Sequence, residues 1–299
     1  MRLITIILAK NEERHIERAL SSVAAFSDGC FVIDSGSTDR TCELAQASGA
    51  TVLRNAWVNY ATQFNWALDE VPRDTQWILR LDADEYVTPM LAEQITNFLK
   101  SAPEHIAGLV IPRRINFMGS PVRWGGIFPI HVVRVFRLGK GRCENRWMDE
   151  HIIVDGNTSS LTGEIIDDNS NSLTWWTEKH NSYASREVLD LLNLEYGFMA
   201  HETVATLSVS QRAGLKRWLK EHIYAKFPIG MRALFYFIYR YFLRLGCFDV
   251  REGTAFHILQ GFWYRYLVDM KLYEVKKYMK SKNVDVLTAI YDVLNIKLN

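Results

Sequence analysis

Three acidic side chains stand together at the end of a largely apolar segment. Asp82, Asp84 and Glu85 come directly after residues 77–81, which have the composition of a buried strand. Two carboxylates separated by one residue at a strand end repel each other, and a divalent cation with oxygen ligands removes that repulsion. In proteins, Mg²⁺ or Mn²⁺ is commonly held by one or two carboxylates together with substrate phosphates. An isolated Asp-x-Asp is more often a solvated acidic turn, so the interpretation depends on the surrounding elements.

The elements around this acidic stretch predict a parallel sheet. Four apolar segments have the character of buried strands: residues 3–8, 30–33, 51–53 and 77–81. Helical patterns lie between or after them: residues 16–25, 40–48, 63–68 and the segment from Thr88. This alternation is typical of an α/β fold with a doubly wound, mostly parallel sheet. Ligands of such sheets bind beyond the carboxyl ends of the strands, where Asp34 and Asp82 stand.

The pattern changes after residue 102. Residues 108–112 and 132–136 have the character of strands, Asp167 and Asp168 form a second acidic pair, and the chain is helical in pattern from Trp175 onward. The predicted first domain covers residues 1–200 and has two halves, 1–115 and 116–200. A helical, membrane-proximal region follows over residues 201–299.

Composition limits the class of protein. A chain of 299 residues with 48% hydrophobic and 23% charged residues is globular, with room for one large domain or two. Four widely spaced cysteines without a C-x-x-C pair suggest neither a disulfide framework nor a zinc site, so we expect a reducing compartment. The first apolar run is too short for the core of a signal peptide.

Positive charge and aromatic residues concentrate towards the end of the chain. Over residues 211–282, Lys and Arg outnumber Asp and Glu roughly three to one. Residues 231–245 are apolar, aromatic and punctuated by arginines, and as a helix they would extend about 22 Å, short of the roughly 30 Å bilayer core. Helices of this type lie at membrane interfaces, so we expect peripheral attachment to an anionic membrane surface. A helical subdomain packed on the catalytic core is the compatible alternative.

Three groups of residues, in this order, carry a resemblance to a known family: residues 5–12 (TIILAKNE), 32–39 (VIDSGSTD) and 81–85 (LDADE). They resemble the first strand, the nucleotide-binding turn and the metal motif of inverting glycosyltransferases of family 2. The resemblance implies the GT-A (nucleotide-diphospho-sugar transferase) fold, followed here by a C-terminal helical region. Residues 133–137 and 149–151 resemble the subgroup that builds lipopolysaccharide core, O-antigen and capsule sugars.

On the donor side, the resemblance implies a nucleotide-sugar, expected to be a UDP-sugar, and Mn²⁺ or Mg²⁺ as cofactor. Asp84 would hold the metal, and Asp82 would contact it through water or contact the ribose. Ser35 stands where many family members have a second Asp, so Asp34 is the expected uridine contact. The residues expected to bind the nucleotide are Asn11, Glu12, Asp34, Asn65 and Asp82. The alternatives for these residues are turn capping, which Asp performs often, or a plain surface position.

On the acceptor side, Asp149 and Glu150 are the candidate catalytic pair. The acceptor hydroxyl must lose a proton as it attacks the anomeric carbon, and by resemblance Glu150 is the candidate base. An exposed charged turn is an equally open alternative. The resemblance implies transfer with inversion to a lipid-linked or polysaccharide glycan, in cell-surface glycan biosynthesis at the cytoplasmic face of the inner membrane. We expect no nucleic-acid partner.

Several other side chains have plainer alternatives beside a functional role. Four basic residues are candidates for pairing with a diphosphate or for a solvated strand face: Arg134, Arg137, Lys140 and Arg142. His151 and His180 are candidates for the metal shell or for structural hydrogen bonds. Trp124 is a candidate for stacking on a sugar, with core packing the stronger alternative.

Two other functions fit parts of the sequence. The first is a non-catalytic membrane-surface protein that binds a glycan or a nucleotide-sugar, which the presence of Asp82, Asp84 and Glu150 disfavours. The second is a nucleotide-sugar pyrophosphorylase of similar fold. Such an enzyme needs a Gly-rich, Arg-containing loop after the first strand, and residues 10–14 (KNEER) do not form one.

Overall fold

The computed structural model describes residues 1–144, 151–198 and 230–297. They belong to two compact units, Met1–Asn171 and Ser172–Asn299, which are treated separately below. Asp149 and Glu150, the predicted catalytic pair, lie outside the described residues. The same holds for the predicted membrane-binding lysines and arginine between positions 216 and 226.

The first unit contains twelve described strands and four described helices. The strands are β1 Leu3–Ala9, β2 Gly29–Asp34, β3 Thr51–Arg54, β4 Trp77–Asp82, β5 Glu85–Val87, β6 Ile106–Phe117, β7 Ser120–Val122, β8 Ile130–Arg137, β9 Gly141–Cys143, β10 Ile152–Val154, β11 Asn157–Ser160 and β12 Ile165–Asp168. The helices are α1 Ile16–Val23, α2 Thr41–Ala47, α3 Tyr60–Glu70 and α4 Pro89–Lys100. The predicted alternation of strands and helices over the first hundred residues is therefore confirmed.

One large sheet organises this unit. Its strand order is β3-β2-β1-β4-β8-β6-β12-β5, with β7 and β11 also paired to β6 and with β9 and β10 forming a separate ladder. The first four strands are parallel, whereas β8 runs antiparallel between β4 and β6. In register, Asp34 lies beside Ala9 and Asp82 beside Leu8. The acidic ends of β2 and β4 therefore flank the end of β1 at one edge of the sheet.

The central strand β1 is covered on both faces, which explains its nearly continuous apolar sequence. Leu3 and Ile7 pack on one side with buried residues of α1 and α4, and Ile4 and Ile6 pack on the other with Phe64 of α3. The predicted start of α4 is confirmed, because the Thr88 hydroxyl accepts a hydrogen bond from the Leu91 N–H and Pro89 occupies the first turn.

The second unit is helical in the described residues, as predicted for the end of the chain. Its helices are α5 Leu173–Tyr196, α6 Met231–Ile238, α7 Arg251–Ile258, α8 Tyr264–Lys282 and α9 Val286–Leu294. Both α6 and α7 continue as a π-helical turn, over Tyr239–Leu243 and Leu259–Trp263 respectively. In the described parts of the chain, every helix is too short or too polar to cross a bilayer.

The division between the two units lies earlier than the predicted boundary at residue 200. Helix α5 buries Ala184, Val188 and Leu192 in one apolar cluster with Val268 of α8 and Ile290 of α9. Because its apolar face is covered by the later helices, α5 belongs to the second unit, which begins at Ser172.

Candidate functional site

The loops that follow β1 and β2 are joined to each other by hydrogen bonds. Asn11, in the left-handed region at φ 57°, accepts a hydrogen bond from the Thr38 N–H at 2.8 Å through its side-chain oxygen. The Asn11 N–H in turn donates to the Ser37 hydroxyl oxygen at 2.9 Å. The Glu12 N–H donates to the Thr41 hydroxyl oxygen at 2.7 Å. These contacts fix two predicted nucleotide-binding residues against the turn after β2.

Asp34 shapes the turn that follows it. Its buried carboxylate accepts the N–H groups of Gly36 at 3.1 Å and Ser37 at 3.0 Å. Burial alone would raise the pKa of Asp34, but the hydrogen bonds from Ser37 and Gly36 outweigh it and hold the pKa below its ordinary value. The carboxylate thus performs the turn-capping role that was the alternative for this position, and the predicted uridine contact stays a prediction.

Sequence reasoning missed His15, which links this edge of the sheet to the end of β12. Its ring is fully buried, with Nδ1 2.6 Å from a Glu12 carboxylate oxygen. Its Nε2 accepts the Ser170 N–H at 2.9 Å. Because Nε2 is the acceptor, Nδ1 carries the proton and donates to Glu12. Glu12 is therefore oriented by His15, and the spacing of three residues between them was the available signal.

Asp82 is surrounded by cationic and donor side chains. Tyr60 donates its hydroxyl to one carboxylate oxygen at 2.6 Å, and Arg134 donates to the other at 3.0 Å. Arg80 lies 3.8 Å away. Burial opposes ionisation, yet the charges of Arg134 and Arg80 outweigh it and hold the pKa of Asp82 well below its ordinary value. Asp82 is therefore ionised and already neutralised by protein groups.

The Glu85 side chain is buried and accepts a hydrogen bond from the Asp82 N–H at 3.1 Å. It is 1% exposed and forms an ion pair with Arg134, with Arg113 at 3.5 Å. Burial is the largest influence on Glu85 and raises its pKa. Neither expectation for Arg134 holds, since the side chain is neither solvated nor free for a diphosphate. It is 3% exposed and donates to the carboxylates of Asp82 and Glu85.

Two of the other three basic residues named as diphosphate candidates have local partners, and the third is exposed. Arg137 stacks 4.5 Å from the Trp77 ring centroid and donates to the Ile106 carbonyl at 2.9 Å. Lys140 pairs with Asp155 at 3.3 Å. Arg142 lies on β9, opposite Ile153 of β10.

Asp84 stands in the turn between β4 and β5, and the end of β12 holds this turn in place. Its carboxylate accepts the side-chain N–H of Asn169 at 2.9 Å, and its carbonyl accepts the Asp168 N–H at 3.0 Å. Arg18 of α1 donates to the same carbonyl at 3.2 Å and to the Asp168 carboxylate at 2.9 Å. The second acidic pair seen in the sequence is thereby brought to the first.

Asp167 adds another carboxylate beside Asp84. It lies opposite Glu85 in the antiparallel pairing of β12 with β5. Burial, followed by the negative charge of Asp84, raises the pKa of Asp167 to about 8, although Arg113 opposes the shift. A cation bound beside Asp84 would oppose this shift, because a nearby positive charge favours the ionised form of a carboxyl group.

The donor set at this turn fits a hard divalent cation, because Asp84 and Asp167 present carboxylate oxygens. Across residues 1–144, 151–198 and 230–297, His, Cys, Asp and Glu form no group of three or more that could hold a metal ion. Two carboxylates are nevertheless sufficient for Mg²⁺ or Mn²⁺ when substrate phosphates complete the shell.

The remaining predicted residues have other surroundings. Asn65 exchanges two hydrogen bonds with the backbone of Cys143, at 3.0 and 2.9 Å, and so fixes β9 against α3; its contact with a nucleotide stays a prediction. Trp124 is 45% exposed, so core packing does not describe it. In the second unit, His180 stacks on Trp176 at 3.5 Å between ring centroids. A cleft of about 360 Å³ near Leu138 lies where strands begin, away from the acidic ends.

Comparison with known proteins identifies the first part of the chain. The family model described as glycosyl transferase family 2 matches residues 5–142. An uncharacterized glycosyltransferase of Rickettsia bellii is 38% identical over 94 residues, which cover 31% of this chain and 31% of that protein. The lipopolysaccharide core biosynthesis glycosyltransferase LpsC of Rhizobium meliloti is 28% identical over 171 residues, covering 55% of this chain and 62% of that protein.

A solved structure gives a weaker match. The glucosyl-3-phosphoglycerate synthase of Mycobacterium tuberculosis, crystallised with Mn²⁺, UDP and glucosyl-3-phosphoglycerate, is 23% identical with a TM-score of 0.33, covering 38% of this chain and 44% of that one. The chain spans about a third of the length of the rickettsial relatives it matches. The family match and the strand order confirm the predicted GT-A fold. Residues 5–142, which contain the acidic ends of β2 and β4, match the family model of glycosyl transferase family 2.

Proposed function

We propose that this protein is a metal-dependent, inverting glycosyltransferase that moves a sugar from a nucleotide-diphospho-sugar, expected to be a UDP-sugar, to a glycan acceptor. The observation that carries the proposal is the position of Asp84. Its carboxylate follows β4 at the edge of the sheet where the loops after β1 and β2 begin, within the region that matches family 2. Ligands of open α/β sheets bind at this edge.

The donor side is built from fixed elements. The turn after β2 is held by Asp34 and by Asn11, and Glu12 is oriented by His15. Because these side chains are tied down before any ligand arrives, little conformational entropy is lost when a nucleotide binds among them. The two interlocked loops support a nucleotide-binding role for Asn11 and Glu12.

Asp82 and Asp84 have different roles in this proposal. Asp84, with Asp167 beside it, is the residue that would hold Mn²⁺ or Mg²⁺, since Arg134 and Arg80 already neutralise Asp82. Asp82 would contact the ribose or a metal-bound water. A bound cation supplies positive charge for the diphosphate leaving group, which becomes more negative as the glycosidic bond breaks.

Proton removal from the acceptor is assigned to Glu150, with Asp149 beside it. Both lie outside the described residues, so the assignment rests on the sequence resemblance alone. Attack by the deprotonated hydroxyl on the face opposite the leaving group gives inversion.

One relative supports a proposal for the acceptor class. LpsC acts in lipopolysaccharide core biosynthesis by its name, and its similarity extends over 171 residues. We therefore infer a lipid-linked or polysaccharide acceptor in cell-surface glycan biosynthesis. The basic and aromatic composition towards the end of the chain supports our proposal of peripheral attachment to the cytoplasmic face of the inner membrane.

A titration of purified protein with UDP, GDP and CDP, each with and without Mn²⁺, tests the donor side by calorimetry. UDP is expected to bind, and to bind more tightly with Mn²⁺. Slow Mn²⁺-dependent hydrolysis of a UDP-sugar without acceptor is the matching activity. Binding of a nucleotide-sugar with turnover on neither water nor any acceptor would favour a non-catalytic binding protein instead.

A further inference from the structure

Residues 231–263 of the second unit form a helical hairpin, called the hairpin below. Its legs are Met231–Leu243 and Arg251–Trp263, each an α-helix continued by a π-helical turn. They run antiparallel, because Phe237 contacts Phe262 near one end and Tyr241 lies within 3.5 Å of Thr254 towards the other. The connecting segment, residues 244–250, is named here the tip.

The inside of the hairpin contains buried polar side chains beside aromatic ones. Arg240 is 2% exposed and donates to Gln260, and its second terminal nitrogen lies 3.3 Å from His257 Nδ1. His257 is fully buried and its Nε2 lies 2.8 Å from the Asp249 carboxylate. A Cβ at Gly246 would meet His257 Nε2 at 2.9 Å, so the glycine makes room for this network. A charged network therefore joins the legs to the tip.

The outside of the hairpin is apolar around the tip. Leu243 is 73% exposed, Phe242 and Val250 are each 55% exposed, and Leu245 is exposed as well. On the first leg, Met231, Leu234 and Ile238 continue this exposed apolar surface at helical spacing. Among the described residues of this unit, by contrast, the apolar cluster is formed by α5, α8 and α9. Its buried members include none from the hairpin, although Trp263 at the end of the second leg packs against it.

Burying Arg240 and His257 while Phe242 and Leu243 are exposed is the reverse of what water favours. In water, ionised groups prefer solvent and large apolar side chains prefer the interior. In contact with acyl chains the preference reverses, because polar groups must then be satisfied internally while apolar side chains face the lipid. The hairpin satisfies both conditions of the second environment.

The exposed charges of the hairpin suit the surface of an anionic leaflet. Arg244 and Arg251, at either end of the tip, are exposed. The other two arginines are engaged internally, since Arg232 pairs with Asp269 and Arg240 belongs to the network above. Two exposed guanidinium groups beside exposed apolar side chains match lipid phosphates lying above acyl chains.

We propose that Phe242, Leu243, Leu245 and Val250 insert into the acyl-chain boundary of an anionic phospholipid leaflet, while Arg244 and Arg251 bind lipid phosphates. Each leg is about 20 Å long and the arginines stay at phosphate level, so insertion is shallow and confined to one leaflet. The inference deepens the peripheral attachment in the proposed function, and it assigns attachment to the tip rather than to residues 216–245 as a whole.

Flotation of the purified full chain with vesicles tests this assignment. We expect binding to phosphatidylglycerol–phosphatidylcholine vesicles and little binding to phosphatidylcholine alone. The Arg244→Ser/Arg251→Ser variant should bind anionic vesicles about thirtyfold more weakly, from about 1 kcal/mol per arginine. The Leu243→Ser/Val250→Ser variant should lose tenfold or more, in keeping with roughly the apolar burial of two side chains. The matched control, Leu287→Ser/Tyr291→Ser, changes two exposed residues of α9 and should bind normally.

A probe at the tip distinguishes insertion from surface adsorption. Cys247 is the exposed cysteine among the four, so an environment-sensitive fluorophore attached there should shift to the blue on anionic vesicles. The Cys247→Ser protein supplies the background. An unshifted probe, normal binding by both tip variants, or a concentration-dependent dimer that the tip variants abolish would each overturn the proposal.

Hydrolysis of a UDP-sugar, measured on the same preparations without vesicles, separates this inference from the proposed function. Both tip variants should hydrolyse the donor at the wild-type rate. If the wild-type protein hydrolyses the donor but does not bind vesicles, only the membrane inference is wrong. If it binds vesicles but shows no turnover, only the transferase proposal is wrong.

Discussion

A guanidinium nitrogen of Arg134 lies 3.0 Å from a carboxylate oxygen of Asp82, in a site where Arg134 is almost fully buried. The charge of Asp82, the first carboxylate of the acidic motif, is thus neutralised by a buried arginine of the protein. Asp84, two residues later, has an amide partner in Asn169 instead. This difference in surroundings gives two aspartates of one motif separate tasks.

Arg134→Met should destabilise the first unit by about 3–5 kcal/mol, because it leaves the buried Glu85 and the partly buried Asp82 without their main partner. Urea unfolding monitored by circular dichroism measures the change. Adding Glu85→Gln to Arg134→Met should recover part of the loss, since one uncompensated charge is then removed. Arg142→Ala, on an exposed part of β9, is the control and should stay close to wild type. Equal stability of Arg134→Met and Arg142→Ala would mean that the buried ion pair does not stabilise the acidic end of β4.

Arg18 is expected to position the turn that carries Asp84. It touches the carbonyl of Asp84 and the carboxylate of Asp168, so Arg18→Ala should loosen the turn without removing any proposed ligand. Mn²⁺-dependent tightening of UDP binding should fall, with partial rescue by Arg18→Lys. The exposed neighbour Arg14→Ala should behave as wild type. Unchanged tightening in Arg18→Ala would show that the contact is purely structural.

His180 should make the stability of the second unit depend on pH. Burial against Trp176 lowers its pKa from 6.5 to about 4, so the unfolded chain binds more protons between these values. The stabilisation is complete above pH 6.5 and is lost as the pH falls towards 4. Urea unfolding at several pH values should show this loss in wild type and less of it in His180→Phe. If the exposed His105→Gln reduces the slope as much as His180→Phe does, the assignment to His180 is wrong.

Glu150→Gln keeps the shape of the side chain and removes its basicity. Turnover should fall by about 10²-fold or more, the usual contribution of a general base, while UDP binding measured by calorimetry stays unchanged. A large effect in Asp149→Asn with none in Glu150→Gln would exchange their roles. Normal turnover in both variants would place the base elsewhere.

The parallel half of the sheet was predictable because its strands are short apolar runs closed by turn residues. Asp34 and Asp82 could be placed at strand ends for the same reason. The insertion of β8 between β4 and β6 could not, since strand order among non-consecutive segments leaves no periodic signal. The burial of Arg134 was also hidden, because a charged residue on a strand is ordinarily exposed and its acidic partners lie about fifty residues away in sequence.

The approach of Asp167 to Asp84 was equally invisible in the sequence. The acidic pair at residues 167–168 was apparent, but its position depends on β12 pairing antiparallel with β5, a contact between distant segments. The polarity of the hairpin could be predicted from the sequence only in part. Its apolar, arginine-punctuated composition indicated an interface, whereas the division into buried Arg240 and exposed Arg244 required the fold.

The most direct test of the account is the metal dependence of UDP binding and of UDP-sugar turnover in wild type and Asp84→Asn. Asparagine retains an oxygen that can accept from Asn169, so the fold should persist. Asp69→Asn, at an exposed position of α3, is the matched control. Wild type and the control should lose turnover in EDTA and regain it with Mn²⁺, and both should bind UDP more tightly with Mn²⁺. Asp84→Asn should show neither effect. Full wild-type turnover in EDTA, or Mn²⁺-dependent tightening that survives in Asp84→Asn, would contradict the central claim that the Asp84 carboxylate, in the turn after β4, holds a catalytic cation.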